Sequence, residues 1–204
     1  MKLPRRQFLN LAAIKYKVVI VAATILMSLV FMGPSSITLA QQKGLKERVV
    51  GTWKIISWES LRPNGQIVNI WMGLHPTGLI IYQPNGYMAV QIMADPRATF
   101  AQNPATSQPP YDEFRNAFFG YYAYWGTYTI NEAENRVIHD VQGSERPYEV
   151  GIKYPRSFSI DGAKLVITTS SYKAGLRLPH DLLERMQIPV DEELVNRLTF
   201  ERIE

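Results

Sequence analysis

From residue 50 to residue 203 the chain is a succession of short alternating runs cut by tight turns. Strand candidates cover residues 50–61, 66–72, 78–83, 87–93, 121–130, 136–142, 152–160, 164–170 and 195–203. Pro-Asn-Gly stands between two such runs at Pro63 and again at Pro84. In each, proline presets one turn dihedral and glycine takes the positive φ that a tight hairpin requires. The stretches NEAEN, GSERP and DG punctuate the later runs. Short strands with tight connections and few helices predict an all-β antiparallel sandwich or barrel.

Two segments break this rhythm. Residues 94–120 form a proline-rich loop leading to a short helix at about Tyr111–Phe119. Residues 171–194 hold one or two helical turns bounded by Pro179 and Pro189, just before the last strand. Insertions of this length serve as lids, binding loops or interface elements, or are plain surface decoration.

The first forty residues obey a different grammar. Five basic side chains (Lys2, Arg5, Arg6, Lys15, Lys17) and no acid precede an uncharged apolar run of 16 residues, 18–33. Small residues follow, ending at Ala40 with Thr38 two positions before it. That order is the one an export signal has, and RRQFL resembles the twin-arginine form. The second basic pair, Lys15 and Lys17, departs from that form and leaves a Sec signal or an uncleaved anchor open. The run is slightly short of the roughly 20 residues a spanning helix needs. The expected organisation is an export signal over 1–40 and one domain over 41–204, exported to a bacterial periplasm, with membrane anchoring through 18–40 as the alternative.

This division changes the meaning of the charge. The chain has 22 Lys and Arg against 18 Asp and Glu, net +4. Residues 41–204 alone have 17 against 18, net −1. The basic excess therefore belongs to the signal, and no basic stripe remains for nucleic acid. There is no cysteine, hence no disulfide and no thiol nucleophile. Export without disulfides suits a periplasm better than small animal secreted domains.

Strand side chains alternate between faces, so charged positions set the parity. Lys54 facing water turns Trp53 and Ile55 inward. The same logic places Val137, His139 and Val141 inside, with Ile152, Tyr154, Arg156, Phe158 and Ile160 on the next strand. Leu198, Phe200 and Arg202 point inward on the last strand, and Tyr122, Tyr124, Gly126 and Tyr128 on the aromatic one. Two sets follow. Trp53 begins the first strand and Arg202 ends the last, so they can meet where a barrel closes. The guanidinium would stack on the indole and bond nearby carbonyls, while Gly51 lets the backbone pass beneath the ring.

The second set is Tyr124, Tyr128, His139, Tyr154 and Arg156. A dry core rarely holds a histidine and an arginine, because a buried unpaired charge is costly. No carboxylate occupies the inward parity of the neighbouring strands. The pair therefore faces a solvated, ligand-sized cavity, or else His139 is a hydrogen-bonded core residue and Arg156 reaches the rim.

VVGTWKIISWE, PTGLIIYQPNGYMAVQIM, FFGYYAYWGTYTI, VIHDVQGS, SFSIDGAKLVITT and LTFERI resemble, in that order, the segments of bacterial and fungal lipocalin-like domain proteins. The resemblance covers nearly all of residues 47–203 and departs from the family at the insertion 171–194. It implies a closed antiparallel β-barrel with Gly51, Trp53 and Arg202 in the closing cluster, plugged at that end and hollow at the other. It also implies carriage of a small hydrophobic molecule; some such barrels are isomerases or cyclases.

His75, His139 and His180 lack metal-ligand spacing, so neither a metal nor a cofactor is expected. No G-x-S-x-G, P-loop or dinucleotide motif occurs. The leading expectation is binding of a small hydrophobic or amphipathic molecule, in one form anionic, with Arg156 on the anion and His139 and Tyr124 orienting it. A cofactor-free isomerase or cyclase using the same pocket, and a ligand-free envelope interaction protein, are the alternatives. Oligomeric state is not legible.

Overall fold

The computed structural model describes residues 44–69, 71–97, 99–101 and 106–203. The export signal read over residues 1–40 lies outside them. A short helix α1 (Leu45–Val49) leads into β1 (Gly51–Leu61), followed by β2 (Ile67–Val68), β3 (Thr77–Tyr82) and β4 (Tyr87–Met93). Helix α2 (Tyr111–Phe119) precedes β5 (Tyr121–Asn131) and β6 (Arg136–Ser144). A 3-10 turn (Pro147–Glu149), β7 (Lys153–Asp161), β8 (Lys164–Thr168) and β9 (Tyr172–Lys173) come next. A second 3-10 turn (Ala174–Leu176), α3 (His180–Arg185) and β10 (Glu193–Ile203) complete the chain.

The strands form a closed antiparallel barrel. Neighbours run β1-β3-β4-β5-β6-β7-β8-β10, and β10 returns to β1 with Trp53 opposite Arg202 and Trp58 opposite Leu198. The cylinder thus has eight staves rather than the nine strands expected. The run 66–72 alternates like a strand, yet among its described residues only Ile67 and Val68 pair, with Leu61 and Ser60 of β1. Beyond them Trp71 donates its indole N–H to the Phe119 carbonyl at 2.8 Å, and the Met72 carbonyl accepts from the Asp95 amide. Packing of these large side chains at the barrel end overrides the strand pattern.

Alternation places Trp53 and Ile55 inside with Lys54 outside. A bulge between Ile55 and Ser57 then shifts the parity, exposing Ile56 and returning Trp58 and Ser60 to the interior. A bulge absorbs one residue without losing the ladder. A second irregularity falls where Trp125 and Gly126 meet β6. There a Cβ on Gly126 would stand 1.9 Å from the Asp140 carbonyl oxygen, a backbone atom. Gly126→Ala is therefore expected to destabilise the protein by about 2 kcal/mol or more, read as a lower urea midpoint. An unchanged midpoint would show that β5 and β6 can part there at no cost.

The second end of the barrel is capped rather than open. Residues 171–194 fold over it with their own apolar core, in which Leu178, Leu183, Ile188 and Leu194 are buried and Trp71 packs from below. The Arg62 guanidinium grips the Glu192 carboxylate with two bonds of 2.7 and 2.8 Å, tying β1's outgoing turn to this cap. Arg115 of α2 bonds Asp181 of α3 at 2.5 Å. The sequence supplies helical turns here, and the reason they sit over the barrel is the burial of those leucines and Ile188.

Candidate functional site

His139 projects from β6 into the interior and is fully buried. Its Nε2 lies 2.7 Å from the Tyr82 hydroxyl and its Nδ1 2.7 Å from the Tyr124 hydroxyl. Burial, and then the nearby Arg156 charge, hold its pKa well below the ordinary 6.5, so the ring is neutral at physiological pH. A neutral imidazole has one N–H and one bare nitrogen. Among the described residues neither phenol has another acceptor for its proton, but Tyr124 lines the interior void and Tyr82 does not, so the Tyr82 proton is assigned to Nε2 and that of Tyr124 is left to the void. Nδ1–H then donates to the Tyr124 oxygen. This tautomer, assigned from the network, leaves the Tyr124 hydroxyl proton uncommitted.

Arg156 comes from β7, opposite Val137 of β6. It is 7% exposed. Its guanidinium stacks over the Tyr154 ring at 5.0 Å and lies close to the Tyr124 hydroxyl. Its Nε is buried with no hydrogen-bond partner. Stacking on an aromatic face offsets part of the desolvation of the cation but leaves that donor unmet.

A carboxylate stands behind these rings. Glu149, from the 3-10 turn after β6, is 2% exposed and accepts from Tyr122 at 3.4 Å and Ser144 at 3.0 Å. Burial, followed by Glu149, pushes the Tyr154 hydroxyl up to about 12. Next to it the buried Arg146 stacks on Trp71 at 4.2 Å and Tyr122 at 5.0 Å. Glu145 is 3.5 Å from the Arg146 Nε, and burial pushes its carboxyl up to about 7.

These layers enclose one void beneath the cap. His139, Tyr124 and Arg156 line it together with Trp58, Asn196 and Arg177. Its non-atom space is about 410 Å³ measured out to the mouth, but the centre of a water could occupy only about 20 Å³ of it. That is room for a water or a small polar group, not for a long chain, in this conformation. Ser60 and Tyr172 both donate to the Asn196 Oδ1, at 2.8 and 3.0 Å, joining β1, the cap and β10 at its edge.

At the opposite end Arg202 lies 4.0 Å over the Trp53 ring. It donates to the Val50 carbonyl at 2.8 Å and to the Arg48 carbonyl, while the Trp53 indole N–H bonds the Val49 carbonyl at 2.8 Å. Gly51 has φ +136°, and a Cβ there would meet the Arg202 Nη1 at 2.5 Å. With this barrel in view, the match of a lipocalin-like domain profile to residues 50–180 decides the family. The chain belongs to the lipocalin-like domain family. The solved structure of a redesigned beta barrel is similar to it at 12% identity, with a TM-score of 0.36, over 79% of this chain and 100% of the other. No curated protein matches. A lipocalin-like barrel is a fold for binding small molecules in general.

Within this lipocalin-like barrel the residues singled out from sequence divide. His139, Tyr124 and Arg156 come together at the void. Tyr154 flanks it, stacked under both Arg156 and Arg177. Tyr128 stands directly opposite His139 in the β5–β6 ladder but does not line the void: its hydroxyl bonds the Gln83 carbonyl at 2.9 Å and its ring packs edge-on against Tyr82. Alternation puts Tyr128 on the inner face but says nothing of where its hydroxyl turns. Tyr82, Trp58, Asn196, Arg177, Arg146 and Glu149 went unread. The parity of β3 would have found Tyr82, and that of β10 Asn196. Other signals were hidden, Trp58 by the bulge and Glu149 by its place in a turn. Among the described residues no cluster of His, Asp and Glu could hold a metal, and no helix is long and apolar enough to cross a membrane.

Proposed function

We propose that this lipocalin-like barrel is an exported binding module for a small, mostly apolar molecule that carries an anionic group. The observation behind this reading is the Arg156 guanidinium, buried with an unmet Nε at the void it shares with Tyr124 and His139. A buried unpaired cation is costly on its own and is compensated when an anion arrives. Much of the remaining wall, with Ile80, Val90, Ile167, Leu198 and Phe200, is apolar. A bound molecule larger than a few atoms would displace residues 171–194. Export rests on the order of the first forty residues, and N-terminal sequencing of protein from its native host tests it.

The test of binding is native mass spectrometry against a panel of fatty acids and aromatic acids. Wild type is expected to retain at least one, and Arg156→Ala to weaken it about tenfold or more, as loss of a charge-assisted bond does. Equal binding by the two proteins would refute the site.

An isomerase or cyclase could use the same void, because Tyr82, His139 and Tyr124 form a continuous proton path. His139 has both nitrogens engaged and stays neutral, so proton exchange with a substrate would fall to Tyr124. Burial raises that phenol's pKa, which suits donating a hydrogen bond better than abstracting a proton. This favours binding over catalysis.

A further inference from the structure

Resting on the reading of this void as a ligand site, we infer that the group it receives is a carboxylate, recognised by three donors: Arg156 Nε, the Trp58 indole N–H and the Tyr124 hydroxyl. The inference comes from sorting the polar atoms around the void into donors and acceptors. The acceptors are spoken for. His139 Nε2 takes the Tyr82 proton. Asn196 Oδ1 takes protons from Ser60 and Tyr172. Thr169 Oγ1 accepts from the Asn196 amide at 3.0 Å.

The donors are left over. Trp58, 3% exposed, has its indole nitrogen buried with no partner, as does Arg156 at Nε. Both side chains wall the same void. Tyr124, with its oxygen receiving Nδ1–H, has its own proton to give. Buried donors in native proteins are nearly always met, so the wall is complementary to a group with acceptor atoms only. An amide or an alcohol would bring a further donor, for which the wall offers only hydroxyl oxygens and no charged or carbonyl side-chain acceptor that is free.

Charge narrows the class. Arg156 and Arg177 line the void, and among the described residues no carboxylate does. The ligand group is therefore negative. The desolvation cost of an ion grows with the square of its charge, and most of the wall is hydrocarbon, so a monoanion fits better than a phosphate dianion. Trp58 acts here as a specificity-determining residue. Its ring also packs against Trp71 and Tyr122, with centroids 5.0 and 5.6 Å away.

The experiment uses octanoate and benzoate with their methyl esters, octan-1-ol, benzamide and inorganic phosphate as probes, titrated calorimetrically. Wild type is expected to bind an acid at least about tenfold more tightly than its ester, alcohol or amide, and to ignore phosphate. Trp58→Phe keeps a ring and removes the N–H. It is expected to weaken the acid about five- to tenfold and to leave any binding of the neutral ester unchanged. Esters or alcohols that bind as tightly as acids overturn the inference while leaving the site standing. Tight phosphate binding overturns it too. If no organic probe binds wild type, both the inference and the ligand site fail. The wild-type comparison of acid with ester requires no variant, so a folding defect in Trp58→Phe does not rescue the inference.

Discussion

Trp53→Ala is expected to lower the unfolding free energy by about 3–5 kcal/mol, the usual cost of emptying a large aromatic site in a core. The indole is completely buried at the foot of the barrel. It contributes in three ways. Its area is withdrawn from water, its N–H meets the Val49 carbonyl, and its face carries the Arg202 guanidinium. Truncation leaves a cavity and an arginine that has lost its platform while still bonded to the Arg48 and Val50 carbonyls. Trp53→Phe should fall between wild type and alanine, because part of the ring area stays and the indole N–H does not. Urea unfolding followed by circular dichroism measures both. A loss below about 1 kcal/mol for the alanine variant would mean that the barrel closes without this clasp.

The second large effect is in the pH dependence of stability, where two buried groups act in opposite directions. His139 has its folded pKa well below 6.5, so the unfolded chain binds more protons below that pH. Its contribution is present above 6.5 and is lost as the solution is acidified, by up to about 1.4 kcal/mol per pH unit. Glu145 is the reverse, raised from 4.5 to about 7 by burial against the opposing pull of Arg146. Its stabilising share is fully present below about 4.5 and is lost as pH rises through 7. Below pH 6.5 the two slopes oppose one another, and wild-type stability is expected to vary less with pH there than that of either single variant. Glu145→Gln should expose the histidine slope and make the protein acid-labile below pH 6.5. His139→Gln should uncover the other slope, so that stability falls from pH 4.5 to 7. Urea midpoints at half-unit pH steps decide the matter. Parallel curves for wild type and both variants would show that neither group titrates differently on folding.

The barrel was readable because its information is local and periodic. Lys54 outside fixes Trp53 and Ile55 inside, and the same arithmetic places His139 and Arg156 on the inner face of adjacent strands. Turn chemistry at Pro63 and Pro84 marked two hairpins, with backbone bonds between Arg62 and Gln66 and between Gln83 and Tyr87. What alternation lacks is the direction each side chain takes beyond Cβ and memory of an extra residue. Tyr128 is a cross-strand neighbour of His139, yet its hydroxyl turns to the Gln83 carbonyl and not to the void. Trp58 and Ser60 were passed over because the bulge after Ile55 resets the count. The run 66–72 has the letters of a strand, and only docking of Trp71 and Met72 against other elements shows why it is not one. Glu149 and Arg146 lie in a turn, where no periodic rule applies. The filling of the upper end by residues 171–194 depends on packing between distant parts of the chain, which one sequence read locally does not contain.

The stitch between β1 and β10 has a kinetic consequence. Arg202 reaches carbonyls more than 150 positions earlier, so the cylinder cannot seal until the last strand is available. Such long-range closure has a high entropic cost and slows folding. Until Glu193 and the residues after it arrive, β1 and β8 are both raw sheet margins, open to pairing with another chain. A molecule cut short before that strand would be a seed for aggregation rather than a smaller barrel.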